Sequence, residues 1–311
     1  MERFATRNYW VKIFIKAVRI TITCAKARKQ MKQLAIAVLA AFSLVSCQKV
    51  LENEAEVKYA ENEREIQSYI SGNNMTFQKS GTGLYYNYLT KNPTGIQAKV
   101  GDEVSIYYSL YKMSGVRFDS TERAKNVPFS YIFGVQALIP GMDEAILMMY
   151  TGERTMLLMN HYLAFGSQSD DILPAYSAVR ADLELVKVRN EDRQIEDYIT
   201  DKKLTLTEKT ASGLRFCQTL TTANAQVKTG DIVLVRYTGK LMSGKQFDAG
   251  DINVRVGAGS VIKGFDEGVS KMKIGEKATL IFPSSLGYGT QGSGTAIRPY
   301  APLLFEVEIV K

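Results

Sequence analysis

The chain has 311 residues, 45% hydrophobic, 23% charged and 10% aromatic. That is globular composition for about two domains, and it excludes wholesale disorder, a fibrous rod and a multi-span membrane protein. The formal charge of +7 resides wholly in residues 1–30, where eight Lys/Arg face the single acid Glu2, so the body is neutral and nucleic acid is not an expected partner.

Trp10–Ile22 alternates Lys and Arg with apolar residues and lacks signal geometry. From Met31 the chain reads MKQLAIAVLAAFSLVSC, with Lys32 before a 13-residue apolar run, Leu34 to Ser46. That is the form of a secretory signal peptide and is too short to span ~30 Å of hydrocarbon. The favoured reading takes Met31 as the true start; a long n-region is the alternative. Leu44-Val45-Ser46-Cys47 resembles the bacterial lipoprotein box, which implies lipidation of Cys47 and a cell-envelope, membrane-anchored protein. An ordinary signal peptide with a chance cysteine is the alternative. Cleavage before Cys47 leaves 30 basic against 31 acidic residues, and leaves Cys217 without an intrachain disulfide partner. Its apolar neighbours suggest a partly buried, inert thiol.

The body repeats with a period of about 129 residues. Ile66-Gln-Ser-Tyr-Ile70 recurs as Ile195-Glu-Asp-Tyr-Ile199, Gly101-Asp102 as Gly230-Asp231, and Phe118-Asp119 as Phe247-Asp248. Further on the offset falls to 123, because the first copy carries six extra residues around Arg123–Pro128. The expected division is a leader over 1–46, a linker with a short helix over 47–75, one domain over 76–189 and another over 190–311.

Each copy opens with an acidic amphipathic helix, over about 52–70 and 190–200. Strands follow at Glu103–Met113 and Ile232–Met242, each closed by a Ser-Gly turn, and a single short helix follows Gly141 and Gly264. In the last strand Leu303, Phe305, Val307 and Ile309 alternate with Leu304, Glu306 and Glu308. Such alternation predicts an antiparallel sheet with one face buried under the helix, hence an α+β fold in two tandem copies.

Gly287-Tyr-Gly289-Thr-Gln-Gly292 fits a dinucleotide-binding pattern, but two prolines and another strand follow where a helix is required. These glycines read as loop punctuation, and no cofactor is expected. The sole histidine, His161, is expected on a surface or loop edge; zinc and triad chemistry both lack parts.

In the second copy the motifs read Val235-Arg-Tyr237, Phe247-Asp248, Val261-Ile262-Lys-Gly-Phe265, Leu286-Gly-Tyr288-Gly289, Ile297 and Leu304-Phe305. Their order and spacing resemble the FKBP-type peptidyl-prolyl cis/trans isomerase family over roughly Val227–Lys311. The resemblance implies a twisted antiparallel sheet wrapped on a short helix, with a shallow apolar pocket between them. It puts Phe265 at the pocket floor, usually Trp. Tyr237, Phe247, Val261, Ile262, Tyr288 and Phe305 become the walls, Asp248 the adjacent acid, and Ile297 part of a flexible loop above. Tyr288 would bond a substrate carbonyl and Asp248 would orient pocket groups, without metal or cofactor. Ile252 and Val254 depart from the aromatic residues the family often has there. Implied partners are prolyl segments of unfolded or exported proteins and, as a ligand, a macrolide.

The first copy resembles the family more weakly over about Lys99–Val188, through Tyr108, Phe118, Asp119 and Phe129. Its floor becomes Met142, Tyr288 becomes Phe165, Phe305 becomes Ala181, and the Val-Ile pair becomes Leu138-Ile139. It is expected to fold alike and isomerise poorly. A prolyl-binding module with negligible rate enhancement is the rival reading for the whole chain.

Overall fold

Each acidic segment at the head of a copy is a helix because its apolar residues recur at helical spacing. The computed structural model describes residues 54–135 and 137–310; the leader and Cys47 lie outside the described residues. The chain divides into two units, Met1–Glu61 and Asn62–Lys311. Of the first, only the opening turns of helix α1 (54–72) are described, where Lys58 pairs with Glu61 at 2.7 Å. Both sheets belong to the second unit. No helix among the described residues is long and apolar enough to cross a membrane.

The first copy contains β1 (Gln78–Lys79), β2 (Tyr85–Thr90), β3 (Glu103–Lys112), β4 (Arg117–Ser120), β5 (Phe129–Ile132), α2 (Pro140–Met148), β6 (Arg154–Met159) and β7 (Val179–Arg189). The second contains α3 (Glu191–Asp201), β8 (Glu208–Lys209), β9 (Arg215–Leu220), β10 (Ile232–Leu241), β11 (Gln246–Arg255), α4 (Lys263–Ser270), β12 (Lys277–Phe282) and β13 (Leu303–Ile309). Both sheets are antiparallel, ordered β1-β2-β6-β7-β3-β4, with β5 also on β3, and β11-β10-β13-β12-β9-β8. The fold is α+β, twice. The six extra residues have a visible consequence. Where β11 is continuous along β10, the first copy splits into β4 and β5 around a 3-10 turn, Arg123–Lys125, ended by left-handed Asn126 (φ 54°).

Leu303, Phe305, Val307 and Ile309 are buried with Phe265 and Val269 of α4, as the alternation predicts. The opposite face is not wholly polar, however. Leu304 is also buried, because Ile195 of α3 covers it together with Ile281. In the first copy Ile66, Tyr69 and Ile70 of α1 cover Tyr85 and Leu158 in the same way. Each sheet thus has a helix on both faces, and the acidic helix supplies a second, smaller core.

Two charged groups fix α3. Arg215 of β9 is fully buried, and its guanidinium bonds Asp192, with Glu196 at 3.4 Å. Such a buried cation is tolerable only because it is paired, and removing a partner would be costly. At the junction of the copies, Asn190 caps α3 by accepting the Arg193 N–H at 2.8 Å. Arg189 donates to Glu103 of β3 and, at 3.1 Å, to Asp197 of α3. The sequence left the orientation across this short linker open; Arg189 ties the end of the first sheet to the second copy's helix.

His161 is not on a surface. It is 1% exposed, and its Nδ1 lies 3.0 Å from Asn62 Oδ1, because the side chain of α1 reaches into the turn that carries it. Cys217 is fully rather than partly buried, and burial pushes its thiol pKa up.

Candidate active site

Three strands, a helix and two loops converge on a cavity of about 450 Å³ in the second copy, lined by Tyr237, Asp248, Ile252, Ser260, Val261, Ile262, Phe265, Tyr288 and Phe305. Phe265 lies in the first turn of α4, 4% exposed, and forms the floor. Its ring meets Phe305 edge-on at 5.2 Å and Tyr237 edge-on at 5.7 Å. Phe305 stacks on Phe282 at 5.7 Å with an interplanar angle of 8°, which fixes its orientation. Offset and edge-on aromatic pairs of this kind add about 0.5–1.5 kcal/mol each beyond area burial, so the hollow has stiff walls.

The polar groups sit at the rim. Tyr237 donates its hydroxyl to Asp248 Oδ2 at 2.9 Å, and Asp248 Oδ1 accepts the Ala249 N–H at 2.9 Å. Burial and the hydrogen bond to Asp248 raise the Tyr237 pKa, so this phenol stays a donor through neutral pH. Tyr288 is 37% exposed on the loop after β12, with its ring at the mouth. Opposite, buried Asp266 accepts the N–H groups of Gly257 (2.7 Å) and Gly259 (2.9 Å), which pins the loop presenting Ser260 and Val261. Among the described residues no cluster of His, Cys, Asp or Glu could hold a metal ion.

Seven of the nine expected residues share this hollow: Tyr237, Asp248, Val261, Ile262, Phe265, Tyr288 and Phe305. Phe247 stands behind the wall, packed edge-on against Phe305 at 5.6 Å. Ile297 does not line the cavity. Its side chain is 4% exposed in the core, and its backbone exchanges two hydrogen bonds with Ser293 (2.8 and 3.1 Å), which folds it inward. Gly287–Gly292 leads into no helix and serves as the Tyr288 loop.

Of the two positions where the family often has aromatic residues, Ile252 lines the cavity; Ser260, Asp266 and Gly239 carry no site signal in the sequence. Gly239 pairs directly with Phe305 across β10 and β13. A Cβ there would fall 2.8 Å from Phe247 and 2.9 Å from Phe305, so only glycine lets both rings approach. The first copy reverses this pair: Leu110 faces Ala181. Leucine from the opposite strand fills space that a phenyl wall occupies in the second copy. In the first copy Phe118 and Phe165, the counterparts of Phe247 and Tyr288, pack edge-on at 6.1 Å. The rim pair persists, Tyr108 donating to Asp119 at 3.0 Å.

A sequence profile described as "FKBP-type peptidyl-prolyl cis-trans isomerase" matches residues 94–186 and 223–310, together more than half of the chain. Mouse (Mus musculus) peptidyl-prolyl cis-trans isomerase FKBP9 is 27% identical over 220 residues, covering 69% of this chain and 35% of that protein. The chain therefore spans about a third of the length of the first curated relatives it matches. An FK506-binding protein of Neisseria meningitidis serogroup A is 45% identical over 87 residues, 26% of this chain and 80% of its own. The solved structure of the three FKBP domains of wheat FKBP73 aligns with 76% of this chain and 98% of that one, at 21% identity and a TM-score of 0.40. With both copies matched by the profile, the chain belongs to the FKBP-type peptidyl-prolyl cis-trans isomerase family.

Proposed function

We propose that the second copy catalyses cis/trans isomerisation of X–Pro peptide bonds and that the first is a weakly active or inactive companion. What carries the reading is the single hollow formed by Phe265, Phe305, Tyr237, Val261, Ile262 and Tyr288. The reaction needs no nucleophile. An X–Pro bond turns slowly because rotation breaks amide resonance, against a barrier of ~18–20 kcal/mol. A pyrrolidine seated on Phe265 is fixed while the preceding carbonyl rotates. The twisted carbonyl loses conjugation and needs less solvation than the planar one, so an apolar niche favours it. The Tyr288 hydroxyl, at the mouth, donates to a neighbouring substrate carbonyl and holds the chain in register. Asp248 keeps Tyr237 turned along the wall through their 2.9 Å bond. Each tenfold of rate requires only ~1.4 kcal/mol of such preference.

The clients would be prolyl segments of exported proteins met at the cell envelope, to which lipidated Cys47 would tether the chain. That part rests on the signal-like run and the box ending in Cys47. A macrolide ligand would compete for the same hollow. In a protease-coupled prolyl tetrapeptide assay, the chain from Cys47 should accelerate isomerisation. Tyr288→Phe should lose most of that activity, whereas Phe165→Tyr should add little. Peptide binding with no acceleration would establish the rival binding module instead.

A further inference from the structure

We infer that Glu191, on α3 and outside the stretch matched by the family profile, is a positioning residue for Tyr288. This rests on the proposed role of Tyr288 in substrate binding. Glu191 is the first residue of α3, half-buried, and its carboxylate does not fold back on its own helix, whose cap is Asn190. It reaches Ser284 instead. One oxygen accepts the Ser284 N–H at 2.5 Å and the other accepts the Ser284 hydroxyl at 2.7 Å. Ser284 is 4% exposed and opens the 3-10 turn Ser284–Leu286. The preceding residue, Pro283, gives that turn no side-chain cap, so Glu191 takes the role from another element.

The consequence lies at the other end of the turn. The Ser284 carbonyl accepts the N–H groups of both Gly287 and Gly289, each at 2.8 Å. Those are the residues on either side of Tyr288. Gly289 has φ of +59°, a conformation that favours glycine, and its own carbonyl accepts the Tyr300 N–H at 3.0 Å, so backbone hydrogen bonds set the course of this segment. One carboxylate therefore fixes one serine, and that serine's carbonyl fixes the two peptides that aim the tyrosine.

The first copy repeats the device in different chemistry. Asn62 of α1 accepts the His161 N–H at 2.8 Å, and the His161 carbonyl accepts from Gly166, the counterpart of Gly289, at 2.9 Å. That two divergent copies both tie the leading helix to this turn argues that the helix is part of the site's scaffold. An Asn–His pair in place of a carboxylate–serine pair accompanies the loss of the tyrosine, which is Phe165 there.

The test uses the chain from Cys47 and two readouts. In the prolyl tetrapeptide assay, normalised to folded protein, Glu191→Ala should lower kcat/KM about tenfold, the scale of one weakened substrate hydrogen bond. Glu191→Gln keeps an acceptor for the Ser284 N–H and should restore activity to within about threefold of the parent. Hydrogen exchange should show faster exchange at Gly287 and Gly289 in Glu191→Ala, with the amides of β12 and β13 unchanged. Unchanged exchange at both glycines overturns the proposal whatever the activity. Faster exchange with full activity per folded molecule also overturns it. A parent chain without isomerase activity refutes the functional reading, and the exchange measurement still decides whether Glu191 holds the Tyr288 loop.

Discussion

The reversed pair Gly239/Phe305 and Leu110/Ala181 allows the pocket to be separated from the fold. Phe305→Ala removes a ring that touches Tyr237, Phe247, Phe265 and Phe282 at 5.2–6.1 Å. Truncating a buried phenylalanine costs about 3–5 kcal/mol. Gly239→Leu alone forces a Cβ to within 2.8 Å of Phe247 and 2.9 Å of Phe305, an overpacking worth about 1–3 kcal/mol. Made together, the substitutions recreate the cross-strand pair of the first copy, where both residues are buried. The leucine then fills the hole left by the phenyl ring. The double variant should be more stable than the sum of the singles by about 2 kcal/mol, within the range seen for touching residues. Its activity should not recover, because the aromatic wall stays absent. Urea unfolding followed by hydrogen exchange at β12 and β13 reads the stability of this sheet separately from the other. Strict additivity of the two costs, or an active double variant, would refute the reasoning.

Other consequences follow from single contacts. Asp248→Ala frees the Tyr237 hydroxyl and should lower kcat/KM about tenfold while circular dichroism stays unchanged, the loss expected for a hydrogen bond to a charged group. Tyr108, held by burial and its bond to Asp119, has its pKa pushed up to about 12. The folded state therefore retains this proton longer than the unfolded chain. The resulting stabilisation is complete below the ordinary tyrosine value of ~10 and is lost as pH rises through 12. Ultraviolet titration should show one late-ionising tyrosine fewer in Tyr108→Phe. Asp192, hydrogen-bonded by Arg215, has a lowered pKa, so its contribution holds above about pH 4 and fades as pH falls through the depressed value. Asp192→Asn should flatten the acid limb of the second copy's stability curve.

Much of the site was legible because the pocket is built from residues whose type and spacing carry the message. Tyr237, Asp248, Val261-Ile262, Phe265, Tyr288 and Phe305 lie in five separated segments, and the alternation of β13 already turned Phe305 inward. What escaped depended on contacts between segments. Leu304 occupies a polar phase of that alternation, and only the docking of Ile195 explains its burial. His161 reads as a loop residue until Asn62 is brought to it from 99 positions away. The family resemblance puts Ile297 in a flexible loop above the pocket, yet its paired bonds with Ser293 fold it into the core. Gly239 shows nothing in sequence, since its function is the absence of a Cβ between two rings.

The central claim is that the hollow floored by Phe265 turns over prolyl bonds. Two-dimensional exchange NMR on a proline-containing tetrapeptide, with catalytic amounts of the chain from Cys47, measures this without a coupling protease. The account requires cis–trans exchange cross-peaks with the parent chain and their loss in Gly239→Leu/Phe305→Ala. Exchange no faster than that of the free peptide, or equal exchange in the double variant, would contradict it.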